Sequence, residues 1–236
     1  MIRLHVTVEG STELRFLKDV LAPHLVEHGV FADAQSVLTS KDNRANKEYR
    51  GGFRRTDAYQ TVKKDICIRM KEDRNADARF TTMFDLYALP EDFPGYAEAE
   101  KATDPYLRIA ILENALYKDI WQALDDSRFI PYIQLHEFEA LILADPFQLS
   151  LEYMEHDKQI QRIVNMVNRE GGNPELINNG KSTAPSKRII AEIPEYDKAD
   201  SGPLVAGKIG LPTLRQKCAH FAEWIQRLEG LAHANT

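Results

Sequence analysis

The sequence predicts an α/β fold, in which a largely parallel sheet is flanked by helices and followed by a mostly helical C-terminal extension. Short apolar runs that suit strands alternate with helical patterns as far as about Asp145, as in strands joined by helical crossovers. Beyond Pro146 the sequence carries helical and loop patterns without a further strand pattern. We therefore expect an α/β domain over residues 1–145 and a mostly helical region over residues 146–236 that packs on it.

The N-terminal segment predicts a strand, a turn and a helix. Apolar and polar residues alternate from Ile2 to Val8, with the period of two that marks a strand. In the following Glu9–Thr12 segment, glycine permits a tight turn and Ser or Thr can cap a helix. The apolar face of that helix comprises Leu14, Leu17, Leu21 and Leu25. Gly29 is the expected stop, and Phe31 to Leu38 predicts a second strand.

The middle of the chain predicts two further strands and two helices. A polar loop over residues 40–56 precedes a helix whose apolar positions run from Ala58 to Met70. Phe80–Phe84 is a β-prone apolar run that ends at Asp85, before a loop rich in proline and glycine. A helix is expected from about Pro105 to Leu124, and Phe129 to Leu135 predicts the fourth strand.

Composition restricts the class of protein. The 236 residues carry a net charge of −6, which argues against a protein that coats nucleic acid by bulk electrostatics. No apolar run approaches the roughly 20 residues that span a bilayer, and two cysteines are too few for a disulfide scaffold. Because Glu9 interrupts the N-terminus early, we expect no signal peptide and a cytoplasmic protein without a membrane partner.

The charge is distributed unevenly along the chain. Between Lys41 and Arg79 there are 12 Lys or Arg residues against 7 Asp or Glu residues. Between Asp85 and Asp126 there are 10 acidic residues against 3 basic ones. An acidic region that follows a basic one suits a metal site beside a phosphate-bearing ligand, and it equally suits two solvated surfaces.

Two short motifs indicate chemistry that their surroundings do not favour. His24–His28 matches the H-x-x-E-H spacing of a class of zinc proteases, but it lies at a helix end and continues an apolar face. Asn179–Thr183 ends like a Walker A loop, but Glu175 stands where the first glycine is required. Pro185 would also break the helix that receives the phosphates. We therefore expect neither zinc proteolysis nor ATP binding.

Acidic residues follow several of the predicted strands. Glu9 follows the first strand, Asp85 the third, and Glu137 and Glu139 the fourth. Residues just beyond the carboxyl ends of parallel strands converge on one crevice, where their negative charges require a cation or shared protons. Mg²⁺, or Mn²⁺, would be the natural partner of such carboxylates beside a phosphate. The alternative is that Glu9 caps the next helix and that Glu137 and Glu139 are surface groups.

Two levels of family resemblance bear on this pattern. Val8–Glu13 resembles the first motif of Toprim domains, which occur in topoisomerases, primases and the overcoming-lysogenization-defect (OLD) nucleases. More closely, the chain resembles a bacterial family labelled as a domain of unknown function, number 4276, which is considered Toprim-like. The matching segments are Val8–Glu13, Met83–Pro90, Asp92–Gly95, Ile130–Asp145 and Pro174–Ile189. The resemblance implies a Toprim-like sheet.

The resemblance also implies roles for particular residues. Glu9 would be the Toprim glutamate, as a general acid/base or metal ligand, and Asp85 the first Asp of an Asp-x-Asp pair. The second position of that pair is Tyr87, a poor Mg²⁺ ligand, so one metal site loses a carboxylate unless another acid substitutes. The acids considered as substitutes are Glu137, Glu139 and Asp92. The lysine that OLD-type nucleases place against phosphate would be Lys187, which could equally be a solvated helix-start lysine.

A basic segment over residues 41–55 is a candidate for nucleic-acid contact. Its candidate contacts are Arg44, Arg50, Arg54 and Arg55. Arginine suits phosphate oxygens, and the interleaved Tyr49 and Phe53 could stack on unpaired bases. The alternative is a flexible solvated loop.

Two hypotheses follow for the function. The first is a Mg²⁺- or Mn²⁺-dependent nuclease that cuts DNA or RNA, and the resemblance implies a separately encoded ATPase partner in bacterial antiviral defence. The second is an inactive Toprim-like subunit that binds nucleic acid or nucleotide and regulates such an ATPase. The sequence leaves open whether the chain forms a homodimer.

Overall fold

A computed structural model describes residues 1–42, 47–53, 58–177 and 180–233, with the backbone but not the side chains of 39–42 and 47–50. The strands are β1 (Ile2–Val8), β2 (Val30–Ser36), β3 (Leu38–Asp42), β4 (Lys47–Arg50), β5 (Ala78–Asp85), β6 (Phe129–Ile130) and β7 (Ile133–Gln134). The helices of the N-terminal half are α1 (Ser11–Phe16), α2 (Ala22–Glu27), α3 (Ala58–Glu72), α4 (Tyr96–Ala99) and α5 (Pro105–Leu124). Those of the C-terminal half are α6 (Glu139–Ile142), α7 (Asp157–Arg169), α8 (Pro185–Glu192), α9 (Ser201–Lys217) and α10 (Ala219–Glu229). The fold is therefore α/β with a helical C-terminal region, as predicted.

The main sheet is parallel throughout the described residues and has β1 near its centre. Its strand order is β2-β1-β5-β6, and β7 pairs with β5 beyond β6. β1 runs parallel to β2 and to β5, with Val8 opposite both Ser36 and Met83. The carboxyl ends of β1 and β5 therefore lie side by side, which brings the residues that follow these two strands to one edge of the sheet.

Helices cover both faces of the sheet. On one face the apolar side chains of β1 belong to one buried cluster with Phe16, Leu17, Leu21 and Leu25 of the first helices and with residues of the C-terminal helices α9 and α10. Trp224 of α10 stacks on Tyr132, with ring centroids 4.1 Å apart, and its indole N–H donates to Thr81 Oγ1 of β5 at 3.0 Å. On the other face α3 and α5 bury a separate apolar cluster against β5. The C-terminal helices thus share a core with the sheet.

Several expected boundaries differ from the structure. The predicted polar loop over residues 40–56 is wrong in part, because β3 and β4 pair there as an antiparallel hairpin. The strand expected from Phe129 to Leu135 is two short strands, β6 and β7, with Pro131 between them; proline has no backbone N–H for a ladder. The second strand ends at Ser36 rather than Leu38. The helix from Pro105 to Leu124 is confirmed.

The C-terminal region is helical across its described residues after Pro146, without a strand. Helix α9 is interrupted at Gly210, which has a φ of 78°. Glycine adopts this left-handed conformation at little energetic cost, and Pro212 follows two residues later. The division at residue 145 stays a prediction. Within the described residues, no helix is long and apolar enough to cross a membrane.

His5 links three strands on the face opposite the C-terminal helices. It lies opposite Asp33 of β2 and Phe80 of β5 in the strand register, and its ring stacks on Phe80. Its Nδ1 lies 2.8 Å from Asp33 and its Nε2 lies 2.9 Å from Asp73. The hydrogen bond to Asp33, opposed by burial and supported by Asp73, raises the pKa of His5 above its ordinary value. Arg69 pairs with Asp33 and Arg3 with Asp73.

The His5→Gln variant is expected to show a pH-dependent loss of stability. The folded pKa of His5 is raised, so its contribution is fully present below the unfolded pKa and is lost as pH rises through the folded pKa. We expect the substitution to lower the free energy of unfolding by about 1 kcal/mol at about pH 5.5 and by less at about pH 9. Urea unfolding of both proteins at the two pH values measures this. An equal difference at both would contradict the bridging role.

Candidate metal site

The first two predicted site residues lie next to each other at the carboxyl edge of the sheet. Glu9 directly follows β1, and its backbone N–H donates to the carbonyl of Met83 in β5 at 3.1 Å. Asp85 is the last residue of β5, and its backbone N–H donates to Glu9 Oε2 at 3.2 Å. The parallel register of β1 and β5 thus brings the Glu9 carboxylate to the Asp85 backbone.

Glu13 joins this group, and sequence reasoning did not select it. It lies in the first turn of α1, where its Oε2 accepts a hydrogen bond from the Gly10 N–H at 2.8 Å, as the third-position glutamate of a capping box does. Its side chain is buried. The signal in the sequence was the spacing from Glu9 to Glu13, which places two acids at one strand-to-helix turn.

Glu137 and Glu139 reach the same region from the segment that follows β7. Glu137 Oε1 accepts a hydrogen bond of 2.5 Å from the backbone N–H of Ser186, at the N-terminus of α8. The partial positive charge of a helix N-terminus favours a carboxylate there. Glu139 begins α6 and is 1% exposed. Together, Glu9, Glu13, Asp85, Glu137 and Glu139 are called the acid cluster below.

Lys198 supplies positive charge to the acid cluster. Its Nζ lies 3.0 Å from Glu137 Oε2 and 3.0 Å from Glu139 Oε2. Burial lowers the pKa of Lys198, but the carboxylates of Glu139 and Glu137 outweigh that effect and hold the pKa above its ordinary value. The lysine comes from the loop between α8 and α9, and no motif in the sequence distinguished it.

Burial and mutual repulsion favour protonation within the acid cluster. Burial, with the negative charge of Glu13, raises the pKa of Glu9 to about 8. Burial, followed by the charges of Glu13, Glu9 and Glu139, raises the pKa of Asp85 well above its ordinary value. Burial also raises the pKa of Glu139 to about 7. Near neutral pH, ionising every acid in the cluster would therefore cost free energy, and part of the cluster stays protonated.

The donor set of the acid cluster fits a hard divalent cation. Asp85 Oδ1 and Glu139 Oε1 are buried and accept no hydrogen bond within the described residues, whereas Glu139 Oε2 is ion-paired with Lys198. Such atoms, beside repelling carboxylates, are suitable ligands for Mg²⁺ or Mn²⁺, which need only one or two carboxylates and water. No three ligand atoms from different members of the acid cluster, all of them described, lie within 4.8 Å of one another. In this arrangement at most two of the acids can bind one ion directly, and water would supply the remaining ligands.

Other predicted residues lie outside the acid cluster. Tyr87 is turned to His136, with its hydroxyl 3.1 Å from Nδ1, and Asp92 is exposed. Lys187 is exposed on α8, one residue after the Ser186 that bonds Glu137. Arg44, Arg54 and Arg55 lie outside the described residues, as does the side chain of Arg50, whose backbone ends β4. Their proposed nucleic-acid contact stays a prediction.

The histidines of the H-x-x-E-H match form a separate cluster with a different acid. His24 Nε2 lies 2.7 Å and His28 Nε2 3.7 Å from Glu229 Oε1 of α10, whereas Glu27 is exposed. One ligand atom from each lies within 4.8 Å of the others. Arg215 donates to both oxygens of Glu229 at 2.6 and 3.1 Å, so a guanidinium already occupies that carboxylate. The contacts link α2 to α10.

A model of one protein family covers nearly the whole chain. It matches residues 8–229 and is described as "Domain of unknown function (DUF4276)". The chain belongs to this family. The matched range includes every member of the acid cluster and Lys198, which places them within the family's own domain.

Comparison with solved structures finds C-terminal regions of OLD proteins. That of Burkholderia pseudomallei is 14% identical, with a TM-score of 0.43, over 96% of this chain and 98% of that one. That of Xanthomonas campestris pv. campestris is 12% identical, with a TM-score of 0.40, over 99% of this chain and 98% of that one. No curated protein matches the chain.

Replacing Glu9 by Gln is expected to stabilise the protein without divalent cations. The folded pKa of Glu9, about 8, lies above its ordinary value of 4.5. As pH rises between these values, the unfolded carboxyl ionises while the folded one stays protonated, so the native state weakens. We expect Glu9→Gln to raise the free energy of unfolding by about 1–3 kcal/mol at about pH 8 and by little at about pH 5. Urea unfolding in EDTA measures this; a destabilised variant at pH 8 would contradict it.

Replacing Lys198 by Gln is expected to have the opposite effect. It leaves the carboxylates of Glu137 and Glu139 without their ion pair, and Lys198 is 42% exposed, so solvent offsets part of the loss. We expect the free energy of unfolding to fall by about 1–2 kcal/mol at neutral pH, and by less in a Glu139→Gln background. Lys208→Gln, at an exposed position of α9, is the control. Equal effects of the two lysine variants would rule out the ion-pair role.

Proposed function

We propose that this protein is a Mg²⁺- or Mn²⁺-dependent phosphodiesterase that cuts DNA or RNA. The observation that carries the proposal is the convergence of Glu9 and Asp85 from adjacent parallel strands, with Glu13, Glu137 and Glu139 around them. The excess of buried carboxylates, with Asp85 Oδ1 and Glu139 Oε1 unpartnered within the described residues, favours a divalent cation. The Toprim-like motif at Val8–Glu13 supports the same chemistry.

The residues of the acid cluster would divide the work. Glu9 and Asp85 would hold the ion. Glu137 and Glu139, paired with Lys198, would orient the site, and either would complete the ligand set only if its side chain moved toward the ion. When bound, the ion would polarise a phosphate oxygen and lower the pKa of a water molecule. Glu9, with a pKa of about 8, suits proton transfer near neutral pH when it is not a ligand.

The proposal also includes the groups that contact the nucleic acid and a partner protein. Lys187 and Lys198 would offset the negative charge of the phosphate, and the basic segment with Arg50 would contact the strand. We place the protein in the bacterial cytoplasm, in antiviral defence beside a separately encoded ATPase. A homodimer is compatible with this role.

A second candidate is a subunit that has lost catalysis and binds nucleic acid or nucleotide for a partner ATPase. Two observations favour it. Tyr87 occupies the position of the second Toprim aspartate and bonds to His136. Lys198 already forms ion pairs with Glu137 and Glu139, the acids that could replace that aspartate. A second metal would have to displace this ammonium group.

Cleavage assays separate the two candidates. We expect the wild-type protein to cut labelled single- or double-stranded DNA or RNA with Mg²⁺ or Mn²⁺. Glu9→Gln and Asp85→Asn should each lower the rate about 100-fold or more, because each removes a negatively charged oxygen ligand. Glu27→Gln, at an exposed acid of α2, should cut at the wild-type rate and shows that the preparation is free of contaminating nuclease.

Metal binding decides between the candidates if no cutting is seen. Calorimetric titration with Mn²⁺ should show binding that Asp85→Asn weakens. Binding without turnover would favour the inactive subunit, and cutting that survives both substitutions would refute the nuclease proposal. Absence of both cutting and metal binding would refute the metal site itself.

A further inference from the structure

A cleft of about 460 Å³ lies beside the acid cluster, within the size range of small-ligand sites. It is lined by Leu86 and Tyr87, which directly follow Asp85, and by His136, which directly precedes Glu137. Consecutive Cα atoms are about 3.8 Å apart, so the cleft begins within one residue of the acid cluster on two separate segments. The cleft and the acid cluster are therefore neighbours on both segments, close enough for one extended ligand to reach both.

His136 fixes one wall of the cleft through a strained backbone. Its φ is 63°, in the left-handed region that residues with a side chain rarely adopt. Its Nε2 lies 2.9 Å from the Glu175 carbonyl, which can only accept, so Nε2 carries the proton. Nδ1 then accepts from the Tyr87 hydroxyl at 3.1 Å. Burial lowers the pKa of His136, consistent with this neutral form. The phenol of Tyr87 is thus held at the wall by its hydroxyl.

The remaining walls combine an aromatic ring with positive charge. Tyr96 and Pro105 add apolar surface, Arg108 and Lys181 add two cationic side chains, and Glu100 adds one carboxylate. Arg108 pairs with Glu100 through Nη2, while its buried Nε has no hydrogen-bond partner within the described residues. Lys181 is exposed at the rim. Aromatic surface next to arginine and lysine is the combination that binds an unpaired base and its phosphate.

We propose that this cleft binds an unpaired nucleotide of the strand whose phosphate lies at the acid cluster. The base packs against Tyr96 and Tyr87, and the flanking phosphate lies near Arg108 and Lys181. The inference rests on the proposed function for the identity of the ligand, and it favours single-stranded over duplex nucleic acid, because a base must be unpaired before it enters the cleft.

Binding measured without a divalent cation tests the cleft separately from catalysis. The probe is a fluorescein-labelled single-stranded oligonucleotide, compared with a duplex of the same length, by fluorescence anisotropy in EDTA. We expect the single strand to bind more tightly, and Tyr96→Ala to weaken it by about tenfold. Tyr96→Phe should retain affinity, because it keeps the ring. Lys181→Ala should weaken binding and reduce its salt dependence.

Control variants remove aromatic or basic side chains elsewhere. Trp121→Ala, at a 44% exposed ring on α5, and Lys64→Ala, at an exposed lysine of α3, should bind as the wild type does. Equal affinity for single strand and duplex, or wild-type affinity in both Tyr96→Ala and Lys181→Ala, would overturn the cleft assignment. Single-strand binding that depends on Tyr96 in a protein that cuts nothing would refute the nuclease proposal and leave the cleft standing.

Discussion

The burial of like charges at one edge of the sheet is the constraint on which the site depends. The negative charges of Glu9, Asp85 and their neighbours repel one another. Without hydrogen-bond donors or cations in the protein, this repulsion would favour separation of the segments that carry them. The structure offsets it with fixed donors: backbone N–H groups at Gly10, Asp85 and Ser186 each reach a carboxylate oxygen. Lys198 adds the ammonium group that bridges two of the acids. Backbone donors cannot rotate away, so the cluster stays assembled before any ligand arrives.

The sequence predicted the two site residues whose positions depend on the parallel strands. Glu9 and Asp85 were selected because residues after parallel strands converge, and the register of β1 with β5 brings them together. Lys198 could not be found in that way, because it reaches the acids from a loop about 60 residues further along the chain. Its selection requires the packing of α9 against the first helix, which no local pattern encodes. Glu13 had a local signal in its spacing from Glu9.

The same distinction explains the errors in the fold. Patterns of buried apolar residues gave β1, β5 and α5 closely, because those elements pack on a core on at least one face. The hairpin of β3 and β4 has the sequences LTSKD and KEYR, so no apolar alternation marked it. The mostly apolar run from Phe129 to Leu135 predicted one strand, because apolar residues indicate burial and not strand continuity. Pro131 has no N–H for the hydrogen bonds between strands, so the run forms β6 and β7 instead.

The shared core of β1 and α10 has a consequence for how the chain folds during synthesis. Leu4 and Val6 of β1 belong to the same apolar cluster as residues more than 200 positions later, among them Phe221 and Trp224. A nascent chain that has already paired β1, β2 and β5 therefore leaves this cluster incomplete until α10 has been synthesised. Chaperone binding and aggregation would compete with folding in that interval. The interval ends when α10 packs into the cluster.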